Sequence, residues 1–212
     1  MSEHHEQLDR AASVMREVRE KCVWTQQITH EALVPYLIEE SHELIDAIET
    51  GDRGELREEL GDLLWQVLFH AEIASRDATA PFDIDDVAGD LADKMVRRHP
   101  HVFAGETAAT PAEVLVHWNA AKAAEKRERT SVLDGVSRGM PALALADKLL
   151  GKAAKVGVEV AATPAAEASI GDRLLALVAE AHAQNTDAEC ALRVRLRELE
   201  AEIRAAEASA KG

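Results

Sequence analysis

Cysteine is scarce in this chain of 212 residues: Cys22 and Cys190 are the only two, too few for the disulfide framework of a small secreted domain. Aromatic residues make up 3% of the chain, and no stretch alternates Val, Ile or Tyr for long, so a β-architecture lacks its usual material. No apolar run approaches the roughly 18 residues that a membrane-spanning helix requires. The charged start Met1–Glu6 carries no apolar signal-peptide region, and the location these absences point to is the cytoplasm. Basic residues are outnumbered, giving a formal net charge of −15. Affinity for nucleic acid or an anionic membrane depends on Lys and Arg neutralising phosphates, so neither is expected as a partner.

What is present favours helices. Ala, Leu and Glu dominate and 47% of the residues are hydrophobic, enough for a proper core, and the expected fold class is all-α. The pattern predicts a first helix from Leu8 to about Lys21 and a second, capped by Thr29, running to about Thr50 with Pro35 near its first turns. On that second helix Leu33, Leu37, Leu44 and Ile48 form one apolar stripe and Ile38 and Ile45 a second, which predicts two packing partners and so a dimer interface. Gly51-Asp52-Arg53-Gly54 reads as a turn, with Glu55 opening a third helix to about Ser75 and Leu56, Leu60, Leu63, Leu64, Val67 and Ala71 as its core face. A fourth helix is expected from Ile84 to Arg98, ended by His99-Pro100, and a fifth from Pro111, carrying Trp118, Lys122 and Lys126. Ser131 to Pro141 reads as a linker before Ala-rich helices.

Between Cys22 and Asp52 there is no Lys or Arg, yet there are seven acidic residues. Within and beyond that stretch lie two carboxylate pairs at i,i+3 spacing, Glu40/Glu43 and Glu59/Asp62. Like charges at this spacing repel by about 0.2–0.5 kcal/mol per pair, so such a helix calls for an external counter-charge. Two antiparallel helices joined by a tight turn bring both pairs together. One such pair is usually a solvated face, but two of them across a turn without counter-charges favour a site. Oxygen-only ligands suit Mg²⁺ or Mn²⁺, whereas zinc asks for His or Cys at short spacing. Magnesium shares its waters with phosphates, so a polyphosphate substrate fits, gripped by cationic side chains. Lys94, Arg97 and Arg98 stand at i, i+3 and i+4, with Lys94 and Arg98 on one helix face, and Lys122 is a further candidate. Trp24 and Trp118 read first as core anchors, and His99 and His101, flanking a proline, are left out of the metal set.

The blocks Glu39-Glu40-x-x-Glu43 and Glu59-x-x-Asp62, with Arg97-Arg98-His99-Pro100-His101-Val102-Phe103 and Trp118-x-x-x-Lys122, resemble MazG, the nucleoside triphosphate pyrophosphohydrolase family of the all-α NTP pyrophosphatase superfamily. The resemblance spans about Leu8 to Val160. It implies a helical bundle completed by dimerisation, dependence on Mg²⁺, and conversion of an NTP to NMP and pyrophosphate, possible substrate variants being dUTP and phosphoribosyl-ATP. Carried over by position, Glu40, Glu43, Glu59 and Asp62 hold the metal, Glu39 and Glu58 stand behind them or activate water, and Lys94, Arg97, Arg98 and Lys122 face phosphates with Trp118 near the nucleotide. The implied chemistry has Glu39 or Glu40 helping to deprotonate a water that attacks the α-phosphorus. A helical protein that binds nucleotide without hydrolysing it is the alternative class. The family usually carries Cys-Pro-Trp-Asp-x-x-Gln-Thr before the second helix. This chain reads Cys22-Val23-Trp24-Thr25-Gln26-Gln27-Ile28-Thr29, a departure that leaves base and sugar preference open.

The resemblance also organises the whole chain: residues 1–130 as the catalytic helical domain and 131–212 as a degenerate, shortened second repeat serving as a packing module. Ile170-Gly171-Asp172-Arg173-Leu174 echoes Leu60-Gly61-Asp62-Leu63-Leu64 at an offset of 110 residues. Ala168 and Ser169 stand there in place of Glu58 and Glu59, so no second metal site is expected. Leu174, Leu177 and Val178 are the apolar surface this module is expected to bury.

Overall fold

The computed structural model describes residues 6–125, 127, 130–160, 162 and 167–210. Every regular element among them is helical, and no described helix is long and apolar enough to cross a membrane. The chain divides into two compact units, Met1–Glu125 and Lys126–Gly212.

The first unit begins with α1, Glu6–Lys21, whose acidic first turn and basic last turn oppose the ends of its dipole. Thr29 caps α2, His30–Thr50, its hydroxyl accepting from the Ala32 amide at 3.3 Å. Gly51 ends that helix in the left-handed region at φ 80°, a conformation that disfavours any side chain. Asp52 then accepts from the Gly54 and Glu55 amides at 2.7 and 3.1 Å, so α3, Arg53–Ala74, starts two residues earlier than the turn reading predicts. Asp83 and Asp86 form a reciprocal cap at the start of α4, Ile84–Arg98. Pro100 opens a four-residue helix, α5, Pro100–Phe103, absent from the sequence reading. Thr110 caps α6, Pro111–Ala124; Lys126, expected on this helix, lies outside the described residues.

The core lies between α1, α2 and α3. Met15, Leu33, Leu68 and Phe69 are its buried centre, with Ile28, Leu64, Trp65, Ile73 and Ile84 packed around them. Each such side chain contributes about 1.5–3 kcal/mol when fully removed from water. The expected core face of α3 is corrected here. Leu60 and Val67 are exposed, and the buried positions are Gln66, Leu68, Phe69, Ala71 and Ala74. Leu64 and Ala71 of the expected face do lie inward, whereas Leu60 precedes the part of α3 that packs with Met15 and Leu33, and Val67 points to the opposite side of the helix from Leu68 and Phe69. Along α2, Leu33 and Ala47 are buried while Ile38 and Ile48 are exposed.

The second unit contains α7, Ala142–Ala153, continued by a short 3-10 turn, then α8, Ile170–Ala183, and α9, Ala188–Ala210. Ala176, Val178 and Ala179 of α8 are buried, but Leu174 and Leu177, expected inside, are 49% and 62% exposed. The neighbours α7 and α9 cover only one side of this helix. Asp172 sits in its first turn in a capping box with Ser169, whereas Asp62 lies midway along α3.

Candidate functional site

The antiparallel α2–α3 hairpin turns the two i,i+3 pairs toward each other. Glu40, Glu43 and Glu59 each offer an oxygen, and these oxygens lie within 4.8 Å of one another. Burial pushes the Glu40 carboxyl above its ordinary range, reinforced by the charges of Asp62, Glu43 and Glu39 and opposed by a hydrogen bond from Gln66. Glu59 is pushed up by burial too, then by Glu43, Asp62, Glu58 and Glu40. Both shifts mark carboxylates short of positive charge. Glu59 Oε2 is a buried acceptor with no partner, which is costly unless something satisfies it. Crowded, partly desolvated carboxylates with an orphaned oxygen fit a hard divalent cation. This is the only such group among the described residues. Asp62, the fourth expected ligand, falls outside the 4.8 Å group but acts on both neighbours by its charge. Glu39 and Glu58 are exposed beside it.

The basic residues gather elsewhere in the same unit. Arg98, at the end of α4, donates through Nε and Nη2 to both oxygens of Glu125, which follows α6. Arg97 reaches the same carboxylate at 3.6 Å. The Arg98 guanidinium carbon lies 4.8 Å from the Trp118 ring centroid, and the His99 ring meets that indole edge-on at 5.3 Å. Trp118 is thus half-buried among α4 and α6 residues. Lys94 and Lys122 are half-buried as well. Among the described residues no ion pair joins the acidic group to Lys94, Arg97, Arg98 or Lys122.

Gln66, which the 3.6-residue period puts on the same strip of the third helix as Glu55, Glu59 and Asp62, is buried beside Glu40 with Oε1 unpartnered. Two features lie beyond the sequence reading. Glu125 as the partner of Arg98 carries no sequence signal, since the two stand 27 residues apart. His30 and His70 stack with Nδ1 atoms 2.7 Å apart, across 40 residues of sequence.

Fold and site together define an all-helical protein with a carboxylate centre of the kind that takes a divalent cation. Residues 28–103 match the model of the family described as the MazG nucleotide pyrophosphohydrolase domain. The match begins past Cys22–Gln27 and stops short of Trp118 and Lys122. An uncharacterised 26.1 kDa protein of Streptomyces cacaoi is 53% identical over 194 residues, covering 92% of this chain and 80% of its own length. A nucleoside triphosphate pyrophosphohydrolase of Mycobacterium tuberculosis is 48% identical over 157 residues, which are 74% of this chain and 48% of that protein. The chain therefore spans about half the length of that named relative. The crystal structure of a MazG-related protein from Thermotoga maritima aligns with TM-score 0.47 and 26% identity, covering 54% of this chain and 97% of that one. The chain belongs to the MazG family.

Proposed function

We propose that this protein hydrolyses nucleoside triphosphates between the α and β phosphates, releasing NMP and pyrophosphate, with Mg²⁺ or Mn²⁺ held by Glu40, Glu43, Glu59 and Asp62. The observation that carries the reading is the convergence of the Glu40, Glu43 and Glu59 carboxylates, with Glu59 Oε2 a buried acceptor that has no partner, supported by the activity named for the Mycobacterium tuberculosis relative. A bound cation supplies Lewis acidity toward the triphosphate. The protein's own groups do the rest. Glu39 or Glu40 takes the proton of the attacking water; for Glu40, burial raises the proton affinity in the direction that suits this task. Glu58 holds the outer edge of the cluster through its charge. Lys94, Arg97, Arg98 and Lys122 neutralise the charge that builds on the leaving pyrophosphate, and Trp118 borders the nucleotide.

Two copies pair through the exposed strip of Ile38, Ile48, Leu60 and Val67 on α2 and α3, which are 42–58% exposed. Residues 131–212 serve as a shortened repeat that packs rather than reacts. The setting is the cytoplasmic nucleotide pool, from which such an activity removes unwanted triphosphates. A panel of canonical, deoxy and oxidised NTPs, assayed with Mg²⁺, tests the proposal: NMP and pyrophosphate are expected, and NDP with orthophosphate contradicts it.

A further inference from the structure

The Arg98 side chain is 11% exposed and its guanidinium is held on two sides. Glu125 accepts from Nε at 3.2 and 3.3 Å and from Nη2 at 2.5 Å, while Trp118 lies under the guanidinium face at 4.8 Å. A guanidinium carries five N–H donors in a rigid fork. Glu125 takes the Nε–Nη2 edge, and no described acceptor lies on Nη1. The remaining edge has the planar geometry that binds a phosphate through two parallel hydrogen bonds. A long side chain otherwise loses rotamer freedom on meeting its ligand; here that freedom is already removed.

We propose that Glu125 is a positioning residue for the proposed reaction: it fixes the plane of Arg98 against Trp118 and leaves the Nη1 edge free for the phosphates of the leaving group. The inference depends on the reading of Arg98 as phosphate-facing. Arg97, reaching the same carboxylate at 3.6 Å, is the outer member of the arrangement. A simple tie between α4 and α6 would support stability alone, whereas a positioning role shows in the chemical step.

The full-length chain is assayed for kcat, KM and melting temperature as Arg98→Ala, Glu125→Gln, Glu125→Asp and the Arg98→Ala/Glu125→Gln double variant. Arg98→Ala is expected to lower kcat/KM about tenfold or more, and Glu125→Gln to lower kcat by about fivefold, an effect of roughly 1 kcal/mol, with KM little changed. Glu125→Asp, which retains the charge, recovers part of that loss and carries the same test should Glu125→Gln fail to fold. The double variant is no worse than Arg98→Ala, because the Glu125 effect passes through Arg98. Losses that multiply in the double variant, or a Glu125→Gln change confined to melting temperature, overturn the inference while leaving Arg98 as a phosphate ligand. Full turnover in Arg98→Ala overturns both.

Discussion

Replacing Glu43 with Gln separates two opposed effects of the same carboxylate. Without metal, Glu43 stands one helical turn from Glu39, Glu40 and Asp46 on α2 and within 4.8 Å of Glu59 across the hairpin. Three like-charge helical neighbours cost about 0.2–0.5 kcal/mol each. A comparable repulsion across the hairpin, weakened by water, brings the sum to roughly 1 kcal/mol. Gln has nearly the helix propensity of Glu, so backbone preference does not blur the comparison. The metal-free variant is therefore expected to melt about 4 °C above the wild type. With Mg²⁺ the order reverses. A cation present at about 100 times its dissociation constant stabilises the wild type by roughly 2.7 kcal/mol, and the variant, lacking a ligand, gains only a fraction of that. Differential scanning calorimetry in EDTA and in saturating Mg²⁺ reads both effects. A Glu43→Gln protein that melts at or below wild type in EDTA, or that gains as much from Mg²⁺, refutes the reasoning.

Acid should weaken the first unit through His70. Its imidazole is held below the ordinary value of 6.5 by burial and then by the charge of His30, so the unfolded chain binds a proton there that the folded chain resists. Stability is retained above the unfolded value and falls as pH drops from about 6.5 toward the depressed folded value; urea midpoints across this range should show a slope that His70→Gln flattens, and an unchanged slope would refute it. In the second unit, Asp172→Asn should leave pyrophosphate release unchanged, because Asp172 is bonded to Ser169 as a helix cap. Lost turnover in a folded Asp172→Asn protein, judged by circular dichroism, would place chemistry in that unit.

Local signals were legible and distant ones were not. Thr29, Gly51, Asp83 and Pro111 mark helix ends through hydrogen bonds or backbone conformations spanning a few residues, so the sequence carries them openly. The carboxylate cluster was readable too, since i,i+3 spacing and a short turn suffice to gather Glu40, Glu43 and Glu59. On α3 the pattern places Leu64 and Ala71 inward as found but also Leu60 and Val67, which are exposed, because the buried face depends on where α1 crosses and helical periodicity does not encode that. For the same reason Arg98 shows free charge in sequence but is engaged by Glu125 in the fold. Leu174 and Leu177 look like core residues by type, and only the limited coverage by α7 and α9 leaves them exposed.

The proposed reaction is attack by water at the α-phosphorus, activated beside the Glu40–Glu43–Glu59 cluster. Turnover of an NTP in ¹⁸O-labelled water, with the products resolved by mass spectrometry, distinguishes it from attack at the other phosphorus atoms. The label is expected in the nucleoside monophosphate and not in pyrophosphate. Label in pyrophosphate or in orthophosphate would contradict it.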